Sequence, residues 1–150
     1  MPSYSIEIQN TVSRYKLSIS RLKRIASQIL KTLKWKQAKI TIRLVSDRKI
    51  QPINKRYLKH DRPTDVISFV YAPGVGDLVI SLDTTVRQAR EYGNSFFYEL
   101  CFYICHGFLH LMGYSDKTSK QAAWMDRKQK AVLKKIGIKH GDSKKPGHRS

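Results

Sequence analysis

The sequence has few acidic residues, only two cysteines and no apolar run of membrane-spanning length. Its 150 residues include 11 aspartates and glutamates against 29 lysines and arginines, which gives a formal net charge of +18. Such a charge attracts polyanions, and we expect nucleic acid to be the partner. An anionic membrane is the weaker alternative, because no predicted helix combines a basic face with tryptophan or phenylalanine anchors.

The two cysteines, Cys101 and Cys105, are too few for a disulfide framework. A disulfide between them would be awkward at a spacing of four helical residues, so we expect buried thiols in a cytoplasmic protein. The first residues have neither the basic segment nor the apolar segment of a secretory signal. The apolar run 100–115 is too short to span a membrane comfortably, and a buried central helix is the better interpretation.

Hydrophobic periodicity predicts four strands and five helices in a single domain over residues 1–137. The predicted strands are 4–8, 40–44, 66–71 and 78–82, and the predicted helices are 19–33, 47–58, 83–92, 96–112 and 118–136. The last two strands are separated by Pro73 to Gly76 and are apolar on both faces, which predicts helices on both sides of the sheet there. Asp83 is the expected N-cap of the third helix. We predict an α+β fold, a small mixed four-stranded sheet packed with about five helices.

The basic charge is concentrated near the two ends of the chain. Residues 1–60 carry 15 lysines and arginines against two acidic residues, and residues 61–133 carry eight against eight. Residues 134–150 carry six against one, and we expect 138–150 to be a disordered basic tail. Contact with a nucleic-acid backbone and a merely solvated basic surface are both open interpretations of these segments.

Two histidines and an aspartate form the most informative pattern of the chain. His106 and His110 stand four residues apart, which places both imidazoles on one face of the predicted central helix. Gly113 follows, where a helix can end with positive φ, and Asp116 comes three residues later. This spacing predicts three ligands of one Zn²⁺ ion per chain, with a fourth position open for water. Since zinc makes bound water acidic, the predicted domain is a metal-dependent hydrolase.

Other interpretations of these residues remain open. Two core histidines satisfied by backbone groups are the alternative to a metal site, and Asp116 could instead cap the last helix. Glu99 lies seven residues before His106 on nearly the same helix face, as a candidate partner of an imidazole or as an ordinary acid at a helix start. Apart from the water on the metal, no catalytic group is identifiable. A peptidase is a third hypothesis, but Gly107 stands where zinc proteases have their glutamate base.

Three blocks of the sequence resemble the YbeY family of endoribonucleases, also called rRNA maturation factors. The blocks are His-Gly-Phe-Leu-His-Leu-Met-Gly-Tyr at 106–114, the stretch 54–69, and Gly-Asp-Leu-Val-Ile-Ser at 76–81. The resemblance covers about residues 47–136. It implies a zinc-dependent endoribonuclease that cuts single-stranded RNA in ribosomal RNA maturation and ribosome quality control. Its implied partners are ribosomal RNA and the small ribosomal subunit, with no membrane partner and no specificity for DNA.

Two positions depart from the family pattern. The family has Asp-His after Gly-Tyr where this chain has Ser115-Asp116, so the third ligand becomes a carboxylate. A carboxylate lowers the charge of the site by one and opens it to harder metals. The family usually has arginine where this chain has Leu58. The remaining candidates for contacts to RNA are Arg56, Lys59, His60 and Arg62.

A non-catalytic module is the second functional hypothesis. In it the chain binds RNA on the ribosome, and a metal at the histidine motif is purely structural. This hypothesis predicts RNA binding without cleavage, whereas the first predicts cleavage that depends on the metal ligands.

Overall fold

The sheet combines parallel crossovers with one hairpin. The computed structural model describes residues 1–58 and 66–141. Within these ranges the elements are β1 (Ser3–Asn10), α1 (Ile19–Thr32), β2 (Gln37–Val45), α2 (Asp47–Ile53), a π-helical segment (Asn54–Leu58), β3 (Val66–Ala72), β4 (Val75–Ser81), α3 (Leu82–Tyr92), α4 (Phe96–Leu111) and α5 (Ser119–Lys135). The strand order is β1-β2-β4-β3, in which only the β3–β4 pair is antiparallel. The predicted α+β fold with a mixed four-stranded sheet is confirmed.

Helix α1 makes the crossover between the parallel strands β1 and β2. It begins at Ser18, whose hydroxyl accepts a hydrogen bond from the backbone N–H of Arg21. Its apolar residues recur at helical spacing and are buried, namely Leu22, Ile25, Ala26, Ile29 and Leu30. One face of α1 therefore covers the sheet, and its basic residues are left on the outer face.

Helix α4 occupies the centre of the main core. Eleven of its 16 residues are buried, between the sheet and the neighbouring helices. Cys101 and Cys105 are free thiols within this core, and burial raises the pKa of each to about 12. Among the described residues, no helix has both the length and the apolar character that crossing a bilayer requires.

The two strands of the hairpin differ in burial. β4 is an inner strand with both faces covered, and a smaller cluster under α2 contains Val79 with Val45, Ile50 and Ile67. The prediction of helices on both sides is wrong for β3, because this strand lies at the sheet edge and its Val70 and Tyr71 are 53% and 66% exposed. β4 also begins three residues before its predicted start, since Gly76 pairs with Val70 inside the ladder.

Asp83 is not the N-cap of α3. Ser81 caps this helix by accepting a hydrogen bond from the backbone N–H of Thr84. The carboxylate of Asp83 instead accepts hydrogen bonds from the backbone N–H of Asp47 at 2.8 Å and from the hydroxyl of Tyr15 at 2.7 Å. Asp83 thus links the starts of α2 and α3 to the loop that follows β1.

The first residues of the predicted basic tail pack against the domain. Ile138 packs against the main core, and the ring of His140 stacks on Tyr98 with centroids 4.4 Å apart. The backbone carbonyl of His140 accepts a hydrogen bond from Ser95 at 2.6 Å. The prediction of disorder is therefore wrong for residues 138–141, and residues 142–150 lie outside the described part of the chain.

A glycine sets the distance between α4 and the sheet. A Cβ atom at Gly107 would lie 2.6 and 2.7 Å from the two methyl carbons of Leu78, which is fully buried in β4. Such distances are far below ordinary contact, and a close-packed interior leaves Leu78 little room to move. The face of α4 that bears residue 107 therefore packs directly on the strand.

We expect Gly107→Ala to lower the free energy of unfolding by about 1–3 kcal/mol from overpacking. The better helix propensity of alanine, worth up to about 1 kcal/mol, offsets part of this loss. Equilibrium urea denaturation measures the change. In a Leu78→Ala background the same substitution should cost less, by at least about 0.5 kcal/mol, because the methyl groups that it meets are gone. Equal costs in the two backgrounds would contradict this account of the packing.

Candidate metal centre

The end of α4 and the loop after it bring the three predicted ligands together. His106 and His110 lie one helical turn apart, and their Nε2 atoms are 3.0 Å from each other. Oδ2 of Asp116 lies 3.4 Å from Nε2 of His106 and 3.6 Å from Nε2 of His110. One ligand atom from each residue therefore falls within 4.8 Å of the other two, an arrangement that could hold a metal ion.

The turn after α4 positions Asp116. Gly113 has a φ of 99°, a left-handed conformation that ends the helix and reverses the chain. The next helix is capped by Thr118, which forms a reciprocal capping box with Gln121. The interpretation of Asp116 as a helix cap is therefore excluded, and its carboxylate faces the two imidazoles.

Hydrogen bonds place a proton on Nδ1 of both imidazoles. Nδ1 of His110 lies 3.0 Å from the backbone carbonyl of Tyr114, which can only accept, so this nitrogen carries the proton. Nδ1 of His106 lies 3.0 Å from Oε1 of Gln129. The amide nitrogen of Gln129 donates to the carbonyl of Phe102 at 3.1 Å, which turns the amide oxygen toward His106. The Nε2 atoms of both imidazoles therefore face each other and Asp116, and in the neutral form each presents a lone pair there.

Burial favours the neutral form of His110. It lowers the pKa of His110 below its usual value, and the neighbouring His106 lowers it further. Two nitrogen lone pairs 3.0 Å apart, with a carboxylate beside them, repel one another unless a metal ion or a proton lies between them. The donor set of two imidazoles and one carboxylate matches that of catalytic zinc sites, so these residues fit a metal ion.

Sequence reasoning missed the role of Gln129. This residue is 1% exposed and lies among apolar residues on the inner face of α5. The sequence does contain a signal for this role: Gln129 is a single amide on an otherwise apolar face of the helix, and a buried polar group needs a hydrogen-bond partner.

Glu99, the predicted partner of an imidazole, is also buried and accepts a hydrogen bond from Asn94 at 2.7 Å. A contact from Glu99 to an imidazole stays a prediction.

Of the four predicted contacts to RNA, one lies within the described residues. Arg56 is exposed in the π-helical segment. Lys59, His60 and Arg62 fall in the segment that the structure does not describe, and so does the side chain of Leu58. Gly107 occupies the position where zinc proteases have their glutamate base. A side chain at this position would point toward Leu78 in the sheet rather than toward the three ligands.

Comparison with known proteins identifies the family. Residues 7–137 match the family model described as Endoribonuclease YbeY. The chain belongs to the YbeY endoribonuclease family. The endoribonuclease YbeY of Geobacter metallireducens is 35% identical, over 89% of this chain and 98% of its own length. That of Bacillus subtilis is 42% identical, over 69% of this chain and 75% of its own length.

A solved structure supports the fold of this YbeY-family chain. A Thermotoga maritima protein of known solution structure matches it with a TM-score of 0.65 at 27% sequence identity. The match covers 96% of this chain and 99% of the other. Family membership makes the chain an endoribonuclease, a hydrolase that acts on RNA, and does not favour the non-catalytic module.

Substitution of Gln129 tests whether its hydrogen bond with His106 orients this ligand. We expect Gln129→Leu to weaken Zn²⁺ affinity by about 10–100-fold, because the imidazole loses the acceptor that orients it. Gln129→Glu keeps an acceptor for Nδ1 and should retain affinity within about threefold of the parent. Competition with a chromophoric chelator measures both constants. Equal affinities for the leucine and glutamate variants would show that this hydrogen bond does not orient the ligand.

Proposed function

We propose that this YbeY-family protein is a zinc-dependent endoribonuclease that cleaves single-stranded RNA. His106, His110 and Asp116 would hold one Zn²⁺ ion per chain. The observation that carries this proposal is the convergence of three lone-pair donors within 4.8 Å while both Nδ1 atoms are engaged elsewhere. We infer a role in ribosomal RNA maturation and ribosome quality control, in the cytoplasm and with the small ribosomal subunit as partner. The family name and the strongly basic chain support this role.

The protein residues prepare the site for phosphodiester cleavage. When bound, zinc supplies a Lewis acid that stabilises charge on the phosphoryl group and lowers the pKa of the attacking hydroxyl or water. Gln129 and the carbonyl of Tyr114 hold the protons at Nδ1, which keeps both Nε2 atoms available as ligands. Asp116 contributes one negative charge, so a site with Zn²⁺ has a net charge of +1 and still attracts phosphate.

Exposed basic residues would position the RNA backbone. Helix α1 has four exposed lysines and arginines and no acidic residue, namely Arg21, Lys23, Arg24 and Lys31. We propose that these residues contact phosphates, together with Arg56, Lys59, His60 and Arg62. Leu58 carries no charge, so the phosphate contact of the family arginine must come from neighbouring basic residues. Binding through many such contacts should weaken steeply as salt increases.

Cleavage of a short end-labelled single-stranded RNA by the zinc-loaded protein tests the proposed function. We expect the parent to cleave it and His106→Ala to lose at least about 100-fold in rate, because a ligand of the Lewis acid is removed. Asp116→Ala should weaken zinc retention by about 10–100-fold, whereas Asp116→His, which restores a third imidazole, should retain zinc. Zinc content by mass spectrometry and the cleavage rate are measured on the same preparations.

Glu91→Ala provides the matched control for loss of a carboxylate. Glu91 is exposed on α3, apart from the three ligands, so this variant should match the parent in zinc content and rate. Equal cleavage by the parent and His106→Ala would indicate a contaminating nuclease and overturn the assignment. Unchanged zinc retention in Asp116→Ala would remove this residue from the ligand set.

A further inference from the structure

A cavity of about 640 Å³ opens beside the candidate ligands. Its floor is α4, its walls are the end of α3 and the inner side of α5, and His140 lies at one end of it. His106 and Asp116 line the cavity as well, so it is continuous with the candidate metal centre. Its volume lies within the range of roughly 300–1,000 Å³ that is usual for small-ligand sites.

One face of α4 leads from the cavity to the ligands. Glu99, Tyr103 and His106 recur at helical spacing along this floor, and His110 follows on the same face. Seven residues separate Glu99 from His106, which corresponds to about 10 Å along the helix. A group in this cavity is therefore within one nucleotide of a phosphate held at the candidate ligands.

The ring of Phe102 provides a stacking surface in the cavity, and it is held there by the buried rings of Tyr98 and Tyr103. Tyr98 and Phe102 stack with ring centroids 6.2 Å apart, and Phe102 meets Tyr103 edge-on at the same distance. Phe102 is half-buried, so part of its ring is accessible from the cavity. Bases of single-stranded RNA bind proteins by stacking on such rings, whatever their sequence.

The lining of the cavity does not favour a phosphate. Its one lysine, Lys130, is paired with Asp126 at 2.9 Å, and Asp116 belongs to the candidate metal centre. The carboxyl group of Glu99 is the acidic group that remains, and among the described lining residues no lysine or arginine is left to pair with a phosphate. This lining contrasts with α1, which carries only basic charge. An uncharged, flat group with hydrogen-bond donors fits the cavity, and a nucleobase has these properties.

We propose that this cavity holds the unpaired nucleobase of the nucleotide next to the cleaved phosphodiester. The proposal rests on the proposed function, because it takes the three ligands as the point of cleavage. A base paired in a duplex cannot enter a cavity between helices without being extruded from its stack. The cavity therefore accounts for a preference for single-stranded over double-stranded RNA, which basic residues on the surface alone do not provide.

Two neighbouring alanines of α5 provide a matched test. Ala122 lines the cavity and is exposed, whereas Ala123 is exposed but does not line it. Ala122→Trp should fill the cavity, and Ala123→Trp adds the same side chain elsewhere on the helix. The probes are a labelled 2′-O-methyl uridine pentamer and an abasic pentamer of equal charge, used without zinc so that neither is cleaved, with binding measured by fluorescence anisotropy.

We expect the parent and Ala123→Trp to bind the base-containing pentamer at least about fivefold more tightly than the abasic one. In Ala122→Trp this ratio should fall close to one. Phe102→Leu, which removes a ring and keeps an apolar side chain, should lower the ratio as well. An equal ratio in the two tryptophan variants, or no base dependence in the parent, would overturn the proposal.

The binding test separates the cavity from the metal centre, because it requires neither zinc nor cleavage. Loss of base dependence in Ala122→Trp alone, with no zinc and no cleavage in the parent, would support the cavity and contradict the proposed function. Zinc-dependent cleavage with an unchanged ratio in Ala122→Trp would contradict the cavity alone.

Discussion

The hydrogen bonds at the Nδ1 atoms of the two imidazoles are the constraint on which the candidate site depends. His110 is held by the carbonyl of Tyr114, which lies in the turn that ends α4. His106 is held by Gln129, which reaches it only when α5 is packed on α4. Formation of the site therefore requires both the correct helix end and the correct helix packing. The position of the two Nε2 lone pairs is a property of the folded domain rather than of the motif alone.

Close packing at two glycines brings together the three stretches of the chain that resemble the family. A side chain at Gly76 would collide with the carbonyl of Phe69 and with Leu111, near the end of α4. A side chain at Gly107 would meet Leu78, two residues after Gly76 on β4. The three motif blocks thus meet where α4 lies on the hairpin. Each glycine lets the helix approach the sheet, and this approach sets the position of the histidines.

The sequence predicted features that depend on local spacing and missed those that depend on topology. The ligand pattern, the central helix and the mixed sheet follow from periodicity and turn residues within a few positions. That β3 is an edge strand, exposing Tyr71, depends on the strand order, which periodicity does not contain. The role of Gln129 depends on a partner 23 residues away, and Asp83 binds residues 36 and 68 positions away rather than its own helix. Polar side chains with distant partners are thus where local reasoning fails.

The distribution of charge would orient an RNA strand on this domain. Phosphates are attracted to the exposed basic face of α1 and, with zinc bound, to a site of net charge +1. Among the described residues that line the cavity beside that site, no lysine or arginine is left to pair with a phosphate, which favours an uncharged base there. A strand bound at the candidate ligands would therefore keep its backbone outside the cavity and turn one base inward. A carboxylate as third ligand fits this arrangement, since a stronger positive charge would draw backbone phosphates toward the cavity as well.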